Sequence, residues 1–327
     1  MKEIQYMTEL KIINMNDVEI EEIEWLWQDF IPYKKLTIVQ GDSGEGKTTA
    51  LLQIIGSLTT GREILSAPGS PPVREPINVI YQTAEDGLGD TIKPRLVAAG
   101  ADCSRVLVID DSEKALTMSD ERLEEAIIQT GAKLVVLDPI QAYLGANVDM
   151  HRANEVRPIL SRVGTLADKY GCAIVLIGHL NKSILMKAGY RGLGSVDFGA
   201  AARSVIVCGR IKDDPDVRVL AIQKASLAYE ATPVAFRLSK EHGFEWIGEY
   251  DITVDELLTG STRGEKTNVA KEFLLEKLED GMMPSSDLYD EAMAQGIKKK
   301  TLRNAMKELN TRAIKDGDKW YTALPAD

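Results

Sequence analysis

Gly41-Asp42-Ser43-Gly44-Glu45-Gly46-Lys47-Thr48 is the segment that most limits how this 327-residue chain can fold. Just before it, Leu36–Gln40 is a short apolar run of strand character. Just after it, Thr48–Leu58 carries apolar residues at helical spacing. A strand that turns through glycines straight into a helix aims successive backbone N–H groups and the positive end of the helix dipole at one point. Its pattern is GxxxxGK[ST], and the ligand such a loop suits is a chain of phosphates. Residues Gly41, Asp42, Ser43, Gly44, Glu45, Gly46, Lys47, Thr48 and Thr49 are therefore the candidate ATP-binding set. Lys47 is placed to reach the β- and γ-phosphates, and the Thr48 hydroxyl to ligate Mg²⁺.

From Lys35 to about Tyr250 the chain alternates apolar runs with helical stretches. Expected strands are Leu36–Gln40, Ile77–Gln82, Arg105–Ile109, Leu134–Asp138, Ala173–Gly178, Ser204–Cys208, Val217–Gln223 and Pro233–Leu238. Helical patterns such as Glu121–Gln129 and Val156–Lys169 lie between the first five. This alternation predicts an α/β fold, a mainly parallel sheet flanked by helices. After Gly178 the strands follow one another closely, which predicts antiparallel strands added at one edge. Ala67–Glu75 is a Pro-rich surface loop with no assigned chemistry, and Leu258–Lys266 has the turn-forming composition of a linker.

With 39 basic and 50 acidic side chains, the formal charge is −11, which argues against bulk coating by nucleic acid and restricts any such contact to local patches. No apolar run reaches the roughly 18 residues of a membrane span. The first residues are too acidic and polar for a secretory signal. Cys103, Cys172 and Cys208 are odd in number and far apart, so neither a CxxC metal cage nor a disulfide framework is expected. A cytoplasmic setting follows as the expectation.

Nucleotide hydrolysis needs an acidic residue on the metal side, and Lys133-Leu-Val-Val-Leu-Asp138 ends an apolar strand in a carboxylate. Open α/β sheets place their ligands at such strand ends. Hydrolysis also needs a group that positions or deprotonates water. Glu85 and Asp86 follow the strand Ile77–Gln82. By itself Ala-Glu-Asp-Gly is a polar turn, and the other reading is that Glu85 polarises the attacking water.

The phosphate loop, Glu85, the Asp of Leu-Asp138-Pro and Ile177-Gly-His179-Leu-Asn-Lys182 form one ordered series. Trp25-Leu-Trp27 ahead of Ile31-Pro32, and the stretch Arg191–Arg203, extend it. Over roughly residues 10–250 this series resembles the RecA-like P-loop ATPases, and among them the RepA-type hexameric replicative helicases of plasmids and phages. The resemblance implies that Glu85 is the catalytic carboxylate, that Asp138 stands with Thr48 on the metal side, and that His179 senses the γ-phosphate. The alternative for His179 is a structural hydrogen-bonding residue at a strand end. It also implies a basic residue donated by the next subunit, for which Arg203 is the candidate. The alternative for Arg203 is a solvated residue at a strand start. Lys224 sits where the family often has a Lys-x-Arg pair, but Ser226 replaces the second basic residue, which puts the weight on Arg203. The loop Ser183–Gly194, with Lys187 and Arg191, is either a DNA-tracking loop of a ring channel or a flexible connection. Trp25 and Trp27 are expected to pack the N-terminal arm, and His151 and His242 to lie on the surface.

In the tail, Val269–Leu278, a helix capped by Ser285 or Ser286 and running through Met293, and Thr301–Leu309 read as three helices. Asp316-Gly317 signals a hairpin. This order resembles a small winged helix–turn–helix domain. Residues 1–258, 259–266 and 267–327 are thus expected as ATPase domain (with residues 1–34 as its N-terminal arm), linker and winged-helix module. Lys298, Lys299, Lys300 and Arg303 crowd the start of the third helix, where their charge opposes the helix dipole and suits a phosphate backbone. A solvated face or a protein-docking module is the alternative. The function expected is a Mg²⁺-dependent ATP hydrolase acting on DNA as a homo-oligomer, a hexamer by the resemblance. The alternatives are a recombination or repair mediator, a helicase loader, or a nucleotide-gated DNA-binding regulator.

Overall fold

The fold is taken from a computed structural model that describes residues 12–67, 69–180, 196–228, 231–260, 263–279, 281–317 and 319–325. A short ribbon, β1 (Trp25–Trp27) and β2 (Ile31–Pro32), precedes the first central strand, β3 (Leu36–Gly41). Then follow α1 (Lys47–Thr59), β4 (Val79–Thr83), α2 (Lys93–Ala98), β5 (Val106–Leu107), α3 (Glu121–Thr130), β6 (Leu134–Asp138), α4 (Ala153–Tyr170) and β7 (Ala173–His179). Beyond them lie α5 (Val196–Ala201), β8 (Ser204–Arg210), β9 (Val217–Ala225), β10 (Val234–Ser239), β11 (Gly243–Glu249) and α6 (Val254–Thr259).

Nine of these strands form one sheet in the order β11-β10-β9-β8-β3-β7-β6-β4-β5. From β8 to β5 every neighbouring pair is parallel, and β9, β10 and β11 join antiparallel. The central strands are buried along nearly their whole length and mostly apolar, because both faces are covered, with Thr37, Gln40 and Gln82 as buried polar exceptions. In β6, Leu134 and Val136 face one apolar cluster with α1, whereas Val135 and Leu137 face a second cluster with α3 and α4. β7 alternates in the same way. This is the RecA-like P-loop architecture, and its consequence is geometric. The carboxyl ends of β3, β4, β6 and β7 all emerge on one rim.

Two expectations about the sheet are corrected. β8 is parallel to β3, so the antiparallel addition starts one strand later, at β9. β11 lies outside the expected strands. It is an edge strand whose residues alternate between exposed and half-buried, so Gly243–Glu249 lacks a strong apolar signal. Trp246 of β11 nevertheless packs within 6.3 Å of Trp27, which itself stacks on Phe30 at 4.1 Å. Trp27 is buried and Trp25 half-buried, so the stretch Trp25–Phe30 just ahead of β3 is held against the sheet, whereas residues 12–24 are exposed. His151 and His242 are exposed.

The tail has its own apolar cluster, from Ala270 and Phe273 through Leu288 to Leu302 and Ala305. Its elements are α7 (Arg263–Leu278), β12 (Met283–Pro284), α8 (Ser285–Ala294), α9 (Lys299–Glu308), β13 (Arg312–Asp316) and β14 (Lys319–Ala323). The strands pair in the order β12-β14-β13. α7 begins inside the stretch read as a linker. Pro284, not a serine, occupies the N-cap of α8, and Ser285 Oγ instead pairs with Thr322 Oγ1 at 2.9 Å. The hairpin closes one residue later than its turn signal, because Asp316 pairs with Lys319.

No helix among the described residues is long and apolar enough to cross a membrane. All three cysteines are free. Burial pushes the Cys172 thiol up to about 11 and the Cys208 thiol up to about 12, whereas Cys103 is half-exposed. Because the thiolate is the reactive form, one thiol per native chain is expected to react with a disulfide reagent at mildly alkaline pH, and three in denaturant. Rapid reaction of two or more in the native protein would contradict this packing.

Candidate active site

The loop after β3 is shaped by contacts a side chain would prevent. A Cβ on Gly41 would lie 2.2 Å from the Cys208 carbonyl oxygen on β8. Gly44 and Gly46 take left-handed φ values of 82° and 85°, which glycine adopts without the usual Cβ penalty. Gly46 is also the N-cap of α1 and brings no side-chain cap to it. The first-turn N–H groups of that helix therefore receive no side-chain oxygen, which is the arrangement an anion site needs.

Lys47 begins α1 with its side chain folded into the loop. Its ammonium donates to the carbonyls of Gly41 and Asp42, each at 2.8 Å. Burial lowers its pKa, while the surrounding acidic groups oppose that shift. Thr48 Oγ1 donates to Asp138 Oδ2 at 2.7 Å, across the gap between α1 and the end of β6. Thr49 follows in α1, half-buried. Asp138 is 8% exposed, and burial raises its carboxyl pKa against the lowering effect of its hydrogen bonds from Thr48 and Tyr81.

His179 closes the group from β7. Its Nδ1 lies 3.4 Å from both Ser43 Oγ and Lys47 Nζ, and its Nε2 lies 4.0 Å from Glu85 Oε2. Glu85 is 64% exposed at its side chain, in the turn after β4. The adjacent Asp86 is committed elsewhere, in an ion pair with Arg95 at 3.3 Å. The geometry thus separates two neighbouring carboxylates that the sequence leaves side by side, and only Glu85 turns to His179.

Arg203 is not part of this cluster. It is exposed at the amino end of β8, whereas Cys208, near the other end of β8, touches the loop through Sγ and the Glu45 carbonyl at 3.2 Å. With Lys34, Lys35, Arg157 and Asp168 it borders a cleft of about 530 Å³, in which Lys35 pairs with Asp168 at 3.1 Å. Lys224 donates to the carbonyls of Gly199, Ala200 and Ala202 and so caps the end of α5. Lys187 and Arg191 lie outside the described residues. Lys298, Lys299 and Arg303 are exposed at the start of α9, and Lys300 lies in the same helix.

Three features have no counterpart in the sequence reading. Tyr81 OH donates to Asp138 Oδ2 at 3.0 Å from a fully buried position in β4. Burial, with Asp138 alongside, raises the Tyr81 pKa well above the usual value. Arg210 braces the loop from outside, donating to the Gly44 carbonyl at 3.1 Å and lying 3.7 Å from Glu45. Arg218 packs its stem behind Gly46. None belongs to a short motif. Each is brought in by a strand neighbouring β3 or β6, or by the strand beyond it.

The donor set fits a nucleotide with Mg²⁺. One hydroxyl and one buried carboxylate, both hard oxygen donors, sit beside an N–H-lined loop. No cluster of three His, Cys, Asp or Glu residues suited to a metal occurs among the described residues. Mg²⁺ is held in this way, through one or two protein oxygens with phosphates and water completing its shell.

The family model described as an AAA domain matches residues 3–183, a span that contains the loop, Glu85, Asp138 and His179. The chain belongs to the AAA-domain family. This AAA-domain protein is a P-loop ATPase of RecA-like fold. Among solved structures it is similar to an ATPase domain, at 13% identity and a TM-score of 0.49, covering 66% of this chain and 85% of that one. It is also similar to a KaiC-like protein from the hyperthermophilic archaeon Pyrococcus horikoshii OT3, at 14% identity and a TM-score of 0.47, covering 69% and 99%. No curated protein matches it.

Proposed function

We propose that this AAA-domain protein is a Mg²⁺-dependent ATP hydrolase that couples turnover to DNA, as a replicative helicase of the RepA type from a plasmid, phage or other mobile element. The observation that carries the reading is the distribution of its charged groups. Lys47, Thr48, Asp138, His179 and Glu85 meet at one rim of the sheet, while Arg203 lies exposed at the other end of β8, in a cleft shared with Lys34, Arg157 and the Lys35–Asp168 pair. A cation so placed cannot serve its own phosphate loop, and it suits a loop presented by a neighbouring copy. A homo-hexameric ring is the assembly proposed.

In this reading Lys47 and the loop N–H groups hold the β- and γ-phosphates. Thr48 and Asp138 hold Mg²⁺, which when bound neutralises phosphate charge. Glu85 orients and deprotonates the attacking water. His179 touches both Ser43 and Lys47 and faces Glu85, so loss of the γ-phosphate would be felt at the end of β7. The chain continues from there into the segment carrying Lys187 and Arg191, proposed to contact single-stranded DNA. Residues 1–258 act as the ATPase domain, joined through 259–266 to a winged-helix module, 267–327, whose Lys298, Lys299, Lys300 and Arg303 are the proposed contacts to duplex DNA.

The test combines ATP turnover with and without single-stranded DNA, the oligomer mass and strand unwinding. DNA-stimulated turnover by a ring that unwinds duplex is the expected result. Filaments without unwinding would favour a recombination mediator. Tight binding to one duplex sequence with negligible turnover would favour a regulator. Arg203→Ala and Glu85→Gln subunits, each inactive alone, are expected to regain turnover when mixed; no recovery would remove Arg203 from the site.

A further inference from the structure

We propose that Tyr81 is a positioning residue for the metal-side carboxylate: its hydroxyl fixes Asp138 so that the site selects nucleotide carrying Mg²⁺. The inference rests on the reading of Asp138 as that carboxylate.

β4 and β6 are parallel neighbours, with Tyr81 opposite Val136 and Thr83 opposite Asp138. Residues two apart on a strand point to the same face, so Tyr81 and Asp138 share one. The Tyr81 ring is fully buried in the apolar cluster with α1. Packing alone would be served by phenylalanine. The hydroxyl instead reaches Asp138 Oδ2 at 3.0 Å, the oxygen that also accepts from Thr48 Oγ1 at 2.7 Å.

Two donors on one oxygen hold a buried carboxylate in one orientation. They are not equivalent. The Thr48 hydroxyl is itself assigned to the metal and sits on the helix that carries the phosphate loop. Tyr81 is anchored in the sheet by its ring, and its hydroxyl is directed at Asp138. It is therefore the donor that keeps Asp138 oriented whatever the loop does. Groups that hydrogen-bond a metal-site side chain from behind typically change metal affinity by about 10- to 100-fold when removed.

Tyr81→Phe in the full-length protein removes one oxygen and keeps the ring. Binding of a fluorescent ATP analogue is measured in excess Mg²⁺ and in EDTA, with a Mg²⁺ titration of turnover and a thermal melt. Wild-type protein is expected to bind more tightly with Mg²⁺. The variant is expected to melt close to wild type, to match it in EDTA, and to need about tenfold more Mg²⁺ for half-maximal turnover. In an Asp138→Asn background the same change should have no further effect on Mg²⁺ dependence. An unchanged Mg²⁺ midpoint overturns the proposal, as does an equal loss of affinity with and without metal, which would mark a general role in loop packing. Wild-type protein indifferent to Mg²⁺ would remove the Asp138 reading, and this one with it.

Discussion

Lys47→Ala lowers ATP turnover by at least about a hundredfold, to the background of the assay. Removing one preorganised charge or donor from a transition-state site costs about 10²–10³ in rate, and Lys47 does more than supply charge. Its side chain is buried, at 6% exposure for the residue, and its ammonium ties the carbonyls of Gly41 and Asp42 together from inside the loop. It also stands 3.4 Å from His179 Nδ1. Alanine removes the cation and leaves two carbonyls without their shared donor. Phosphate release at saturating ATP is the measurement, with a melt to show that the sheet persists. Turnover at wild-type rate would end the ATPase assignment.

Gly41→Ala should be the most damaging single-carbon change in the loop, to stability as well as to activity. The new Cβ would sit 2.2 Å from the Cys208 carbonyl oxygen, and that atom is backbone. β8 is held between β3 and β9 by ladders on both sides, so it cannot withdraw without losing pairs. Overpacking against a fixed core costs about 1–3 kcal/mol, and a loss near the upper end is expected in denaturant unfolding. Gly44→Ala provides the contrast. Its Cβ would meet nothing within 4 Å, so its penalty is confined to the left-handed backbone, about 1–2 kcal/mol. A Gly41→Ala protein with an unchanged unfolding midpoint and normal turnover would show that the loop does not press on β8 as described.

Much of the architecture can be read along the chain because local chemistry and tertiary placement agree there. Leu134–Asp138 is apolar through four residues and acidic at the fifth, which describes a strand buried on both faces that ends at a ligand rim. α3 is legible for a similar reason, since Asp120 caps it and Gly131 ends it in the left-handed conformation. Legibility fails where a neighbour decides the outcome. β11 becomes a strand because β10 offers it an edge and Trp27 covers Trp246, not because Gly243–Glu249 has strong strand character. α6 is different, because it carries a local signal of its own in the capping box of Thr253 and Glu256.

The site divides along the same line. Gly41, Gly46, Lys47 and Thr48 lie within one short segment, and their backbone demands are local, so the amino-acid sequence alone determines that a phosphate-binding turn forms between a strand and a helix. It also marks Asp138 and His179 as polar ends of apolar strands. What only the tertiary structure decides is which side chains from other strands share that rim. Parallel registry across β4, β6, β3 and β7 sets Tyr81 against Asp138, turns Glu85 but not Asp86 toward His179, and leaves Arg203 at the opposite end of the sheet. Those relations depend on strand order and register, and hydrogen bonds between segments tens of residues apart in the chain set both.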